Sequence, residues 1–280
     1  IFSPRVNVRF NPSEAVNLRV SYAGGYRAPQ AFDEDMHIAI VGGKRVRIRL
    51  ADDLREERSH SVSLSADLYH TFGKVQTNLL VEGFYTILDD VFALRDMDDA
   101  ADGGKVKERY NGSGATVRGF NVEGRAAFTR WFELQAGVTL QQSRYKEPEF
   151  WSEDAEVPPV RRMFRTPDAY GYFTASFKPV RNFTADLSGT CTGSMLVQHM
   201  AGSGVAQDVA VSTPSFFDMN IRLSYDVQIY KEITMQLYGG VQNLFNAYQK
   251  DFDKGVDRDS GYIYGPSLPR SWFVGAKFSF

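Results

Sequence analysis

Four groups of residues in this sequence could do chemistry. The run DFDKGVDRD sets Asp251, Asp253, Asp257 and Asp259 around Gly255. Carboxylate oxygens gathered by a glycine turn suit a hard cation such as Ca²⁺. The spacing misses the EF-hand pattern, however, and Lys254, Arg258 and Arg270 are placed to balance the charge. The segment FDEDMH could offer Asp33, Glu34 and Asp35 to a hard cation and His37 to a haem iron, but its composition favours a solvated acidic loop, or one that pairs with Lys44, Arg45, Arg47 and Arg49. Cys191, Met195, His199 and Met200 form a third group, with the soft donors copper prefers. The aromatic residues Tyr26, Tyr110, Tyr145, Trp151, Tyr262 and Tyr264 can stack on a planar or bulky chelate, and Arg27, Arg161 and Arg162 suit an anionic one. The same side chains also serve ordinary loop packing and interfacial aromatic girdles.

Catalysis has no signature. GxSxG, HExxH, P-loop and CxxC patterns are all missing from the sequence. A pair such as Ser194 and His199 is what four histidines among many serines supply by chance. The chain reads as a non-enzyme. Its formal charge of −2 gives no reason to expect a nucleic-acid partner, and the single Cys191 excludes an internal disulfide framework.

The elements that must position these groups are strands. Aromatic content of 14% and 24 glycines, with a mean hydropathy of −0.33, fit an all-β chain whose strands bury one face only. No run of about 18 apolar residues would make a transmembrane helix, but barrel strands need only about 9–11 residues of alternating character. Such alternation recurs along the whole chain. Val6, Val8 and Phe10 alternate with Arg5, Asn7 and Arg9, ending in a tight turn at 11–14. Phe217, Met219, Ile221, Leu223, Tyr225, Val227 and Ile229 oppose Asp218, Asn220, Arg222, Ser224, Asp226 and Gln228. A strand over 183–195 puts Cys191 and Met195 on its apolar face. One near 167–178 is aromatic on both faces, and the last strand runs to Phe280. The pattern predicts eleven antiparallel strands. They are joined alternately by short turns and by long connections at 24–56, 95–109, 146–164, 201–214 and between the last two strands. Short turns at one end, long loops at the other and charges on the second face predict a transmembrane β-barrel with a wet interior; a soluble sandwich would show shorter strands and no such loop asymmetry. Because bacterial single-chain barrels have even strand numbers, eleven strands predict half a barrel with an unpaired edge on each side. The chain opens at Ile1 and reads as a mature or truncated piece.

The block GGVQNLFNAYQKDFDKG followed by GPSLPRSWFVGAKFSF resembles the carboxyl end of the TonB-dependent outer-membrane receptors, with Phe280 as the terminal aromatic presented to the barrel-assembly machinery. Gly25-Tyr26-Arg27-Ala28-Pro29 is similar to the family's FRAP segment, and Asp53-Leu54-Arg55-Glu56-Glu57 is a loose version of its NP-D/N-L-x-P-E segment. The resemblance spans essentially the whole chain, as the second half of a receptor. It implies a barrel of about 22 strands, of which the amino-terminal plug and the first half are absent here. It implies a place in the outer membrane of a Gram-negative bacterium, among its lipids. The activity implied is import of a scarce, bulky metal chelate or corrinoid, energised by the TonB complex through the plug. A ferric siderophore heads the substrate classes, followed by haem or cobalamin. In haem-uptake members a ligand histidine lies between the two segments, where His37 falls. Some corrinoid receptors order their loops with Ca²⁺, and no other cofactor is implied. A passive porin or surface adhesin is the alternative, and the FRAP-like segment and long loops count against the porin.

Overall fold

The computed structural model describes residues 2–29, 46–97, 105–152 and 154–279, and every regular element among them is a β-strand. In chain order these are β1 (Arg5–Ser13), β2 (Val16–Arg27), β3 (Val46–Leu50), β4 (Glu57–Phe72), β5 (Val75–Asp89), β6 (Phe92–Met97), β7 (Lys105–Asn111) and β8 (Ala115–Thr129). They continue as β9 (Phe132–Glu149), β10 (Val160–Arg162), β11 (Ala169–Val180), β12 (Phe183–Thr192), β13 (Leu196–His199), β14 (Val209–Ser212), β15 (Phe216–Tyr230), β16 (Ile233–Gln242) and β17 (Ser271–Ser279). The main sheet runs β1-β2-β4-β5-β8-β9-β11-β12-β15-β16-β17, with β10 added beside β9. The eleven strands legible in the sequence are these, each antiparallel to the next. Among the described residues β1 pairs only with β2 and β17 only with β16, so the sheet is open.

Two-residue turns at 14–15, 73–74, 130–131, 181–182 and 231–232 join the strands at one end. Gly73 adopts φ 63°, the left-handed turn conformation that costs glycine least. At the other end the connections are 28–56, 90–114, 150–168, 193–215 and 243–270.

The period of two gives the sheet two different faces because registry carries each parity unbroken from strand to strand. One row reads Phe10, Leu18, Ala66, Val81, Val122, Val138, Gly171, Cys191 and Phe217 across nine strands. The side chains of this face have no core to enter: Leu64 is 61% exposed, Phe120 63% and Val274 90%. At the short-turn end Trp131 packs against Phe132 and edge-on to Phe177, with ring centroids 6.0 and 5.5 Å apart.

The opposite face is polar and bonded to itself. Tyr172 Oη donates to Glu123 Oε2 at 2.6 Å and accepts from Gln135 Nε2 at 2.8 Å. Thr139 donates to Asn121 at 2.8 Å, Ser176 to Asp186 at 2.7 Å, and Gln236 to Asp226 at 2.9 Å. The doubly aromatic strand is thereby explained: in β11 Tyr170 and Tyr172 share the polar face, where a hydroxyl finds partners, while Phe173 and Phe177 share the apolar one. A hollow of about 380 Å³ opens on the polar face beside Ser21, Ser61, Ser63, Glu82 and Asn121.

Several expectations are corrected. β1 continues through Ser13, so the first turn is Glu14-Ala15 rather than 11–14. β2 continues to Arg27 and β9 to Glu149, which puts Tyr26, Arg27 and Tyr145 on strands and not in loops. Four polar connections contain strands of their own, β10 in 150–168 among them. β3, β6 and β7 form a three-stranded sheet with β3 parallel to β7, and β13 pairs with β14. Met195 does not share the face of Cys191: β12 stops at Thr192, and Met195 is 9% exposed in a small cluster with Val197 and Tyr262.

Candidate functional site

The groups able to recognise a ligand lie where the long connections meet. The two sequence segments singled out above turn out to touch. Arg27 Nε lies 2.7 Å from Glu57 Oε2, its Nη2 donates to Glu57 Oε1 at 3.0 Å, and its guanidinium lies 4.9 Å from the Phe92 ring centroid. Next to Glu57, Arg55 ties both neighbouring connections together. It pairs with Asp90 at 2.8 Å, its backbone N donates to Asn111 Oδ1 at 2.8 Å, and Asn111 Nδ2 returns bonds to Arg55 O at 3.0 Å and Asp90 O at 2.7 Å. Beyond this tie the β6–β7 hairpin places Arg95 over the Tyr110 ring at 4.9 Å while its Nε donates to buried Glu108 at 2.8 Å.

The second assembly joins the β13–β14 hairpin to the last connection. His199 stacks on Tyr262 with centroids 3.7 Å apart and planes 8° from parallel. Its Nε2 lies 3.0 Å from each oxygen of Asp253, so the partner of His199 is Asp253 and not Ser194. Tyr262 and Tyr264 both donate to Asp251, at 3.0 and 2.6 Å. Asp259 accepts from the backbone N–H groups of Met200 and Gly261, each at 2.8 Å. Burial, together with the bond to Asp251, pushes the Tyr262 hydroxyl up to about 12, and Tyr264 moves further in the same direction for the same reasons. Burial alone would raise Asp251, but the tyrosine hydrogen bonds outweigh it and hold the carboxyl below its ordinary value.

The acidic run is thus dispersed. Asp251, Asp253 and Asp259 each face protein donors, Asp257 gives its carbonyl to Ser203 N at 3.0 Å, and no three His, Cys, Asp or Glu side chains converge on one point among the described residues. Cys191, on the apolar face, is likewise separated from Met195 and His199.

The remaining candidates are scattered around the same rim. Tyr26 is exposed on the apolar-face parity, opposite Arg58. Tyr145 is half-buried at the end of β9. Trp151 donates to Pro158 O at 3.3 Å and meets Phe164 edge-on. Arg161 lies 3.6 Å from Glu147, and Arg162 bonds Ser194 O at 2.8 Å and Asp168 at 3.0 Å. His37 and Phe280 lie outside the described residues. Sequence reasoning missed Gln249, 1% exposed, whose amide donates to Tyr262 O at 3.0 Å and accepts from Tyr264 N at 2.8 Å. It also missed Arg165, whose Nη1 donates to Ile263 O at 2.7 Å.

Residues 1–244 match the model of the family described as TonB dependent receptor-like, beta-barrel. No curated protein matches the sequence. Among solved structures, the ferric-catecholate import receptor Fiu of E. coli K12 is 15% identical with a TM-score of 0.64, over 97% of this chain and 34% of that one. The ferric enterobactin receptor PfeA of Pseudomonas aeruginosa is 16% identical with a TM-score of 0.64, over 98% and 39%. The copper transporter OprC is 12% identical with a TM-score of 0.65, over 99% and 39%. At these identities the shared property is the fold, and the chain spans between 34% and 39% of the length of these proteins.

Proposed function

Since the chain belongs to the TonB-dependent receptor-like β-barrel family, we propose that it is the carboxyl-terminal half of an outer-membrane receptor that imports a ferric siderophore by energised transport. In this reading the apolar rows face lipid, the polar face lines the lumen, and the long connections stand outside the cell. The plug and the first barrel half belong to the same protein beyond this chain, and both open edges of the sheet pair with that half.

The observation that carries the reading is the construction of the long-loop end. A channel that only lets solutes diffuse needs no bonded superstructure above its wall. Here two assemblies tie separate connections to one another through Arg55, Asn111, His199, Tyr262 and Asp253, and cations and aromatic rings border them at Arg27, Arg95, Tyr110, Trp151 and Arg161. Such a rim suits a planar, anionic chelate, which stacks on rings and pairs with guanidinium groups. Two of the similar structures are named as receptors for ferric catecholate and ferric enterobactin, which favours the siderophore over haem or cobalamin. Calcium in the 251–259 run has less to rest on, since three of its four aspartates already take protein donors.

Uptake of ⁵⁵Fe-labelled siderophores by cells expressing the full-length protein tests this. Saturable uptake that a protonophore abolishes is expected. Uptake that is unsaturable and indifferent to the protonophore would establish the porin reading instead, and surface attachment without uptake would establish the adhesin.

A further inference from the structure

The apolar face is interrupted at one place by a groove and by charge. In the row Val20, Leu64, Gly83, Phe120, Leu140 every position but Gly83 carries a large side chain. A Cβ at Gly83 would meet the Phe120 ring at 3.4 Å, so that ring leans over the bare backbone, and a groove with Gly83 in its floor lies between Leu64 and Phe120. The groove measures about 680 Å³ and is lined mainly by Val62, Leu64, Tyr85, Phe120 and Leu140.

Its upper end is cationic. One row above Phe120 and Leu140 the same face presents Arg118 opposite Gln142, and one row higher Arg144 opposite Thr116. On β8 the apolar-face parity reads Thr116, Arg118, Phe120, Val122, Gly124, Ala126 and Phe128, with Arg118 the one charge. Arg118 Nη2 donates to Gln142 Oε1 at 2.8 Å, and neither Arg118 nor Arg144 has a carboxylate partner among the described residues. The surrounding charges are balanced: Lys146 pairs with Asp89 at 2.5 Å, Arg58 with Glu56 at 2.7 Å, and Asp168, at the groove margin, with Arg162 at 3.0 Å. Arg144 also faces Arg162 directly across β9 and β10, but Asp168 already neutralises Arg162, which leaves Arg144 itself without a counter-charge on this face. Side chains diagonal across an antiparallel pair, as Arg118 and Arg144 are, stand roughly 7–8 Å apart at the backbone. Two guanidinium groups converging from that distance fit a phosphate, which accepts from both.

We propose that this groove is a specific lipid site, holding an acyl chain against Gly83 while Arg118 and Arg144 hold the phosphate of the headgroup. The proposal rests on the outer-membrane reading, in which this rim lies at the level of the outer-leaflet headgroups. Phosphate gives each arginine a charge-assisted bond, and a zwitterionic headgroup that repels part of that interaction is a poorer ligand.

Native mass spectrometry of the full-length protein in detergent tests it, with dipalmitoyl phosphatidic acid and dipalmitoyl phosphatidylcholine as probes. The expected result is selective retention of phosphatidic acid, lowered about tenfold or more in R118Q/R144Q by loss of two charge-assisted bonds. G83L, which fills the groove and keeps both arginines, lowers it as well, whereas R19Q on the polar face leaves it unchanged. Equal retention of the two lipids, or unchanged retention in R118Q/R144Q, would overturn the site and leave the membrane reading standing. Recovery of the protein in the soluble fraction, without lipid, would overturn both.

Discussion

Replacing Tyr262 by alanine removes the side chain about which the β13–β14 hairpin and the last connection are packed. The residue is 4% exposed, lies flat on His199 at 3.7 Å and donates to Asp251 at 3.0 Å. An aromatic side chain buries roughly 150–250 Å², which at about 25 cal/mol per Å² corresponds to about 4–6 kcal/mol. An extended-chain reference overstates that figure, and aromatic-to-alanine changes in packed cores cost about 3–5 kcal/mol. The ladders of the main sheet do not run through Tyr262, so the cost falls on local opening of the hairpin. At about 3 kcal/mol the amides of 196–212 lose protection by roughly two orders of magnitude. Tyr262→Phe keeps the stack on His199 and removes one of the bonds to Asp251, costing about 1–2 kcal/mol, or roughly tenfold. Hydrogen exchange on the full-length protein, comparing peptides from 196–212 with peptides from β15 and β16, reads both effects. Unchanged exchange at 196–212 in Y262A would refute the packing argument, and equal acceleration in β15 and β16 would refute its locality.

The same region responds to pH at both extremes. The raised Tyr262 stabilises the assembly fully below the ordinary tyrosine value of 10.0 and loses that contribution as pH climbs through about 12; absorbance titration should show late-ionising tyrosines as hairpin protection falls. Asp251, held below its ordinary value, contributes above that value and loses the contribution as pH falls through the depressed one, so D251N should blunt acid-induced exchange around 249–264. Glu57→Gln weakens the bonds to Arg27 and to the Phe92 N–H, and with charge-assisted bonds worth about 1.5–3 kcal/mol it should speed protease nicking of 90–114 in intact cells. In Gly204→Ala the new methyl would fall on the Asp253 carboxylate, so His199 loses its partner and hairpin exchange accelerates while the main sheet is unaffected.

The sheet was legible because its signal is redundant. Alternation in β15 or β17 is set by burial of one face, and a slip of one residue would invert a whole strand. The long connections lack that signal. β3 and β7 read as polar loop since each is short and rich in charge, even though VRIRL alternates over its five residues, and their parallel pairing joins segments far apart in sequence. Extending the alternation of β12 past Gly193 puts Met195 on the apolar face, but the chain leaves the sheet there. His199 and Asp253 lie 54 residues apart and carry no local mark of each other. Gln249 carries no local sequence signal of its burial, since its partners Tyr262 and Tyr264 lie 13 and 15 residues away. The segment around Tyr26 and Arg27 was found by its pattern, but its role in bonding Glu57 required the register of β2 on β4.

The parallel pairing of β3 with β7 constrains the order in which the chain can assemble. Val46 pairs with Lys105, 59 residues on (105 − 46). Closing so long a span from the unfolded chain, rather than a two-residue turn, costs about 3 kcal/mol more by loop-closure entropy. The β4–β5 hairpin removes most of that cost, because Arg58 pairs with Asp89 and leaves only a short path from Leu50 to Phe92. Loop-closure entropy therefore predicts that the β3–β7 pairing forms after the main sheet. A lesion at the Gly73 turn slows both, while one within β3 or β7 leaves the rate of wall assembly as it was.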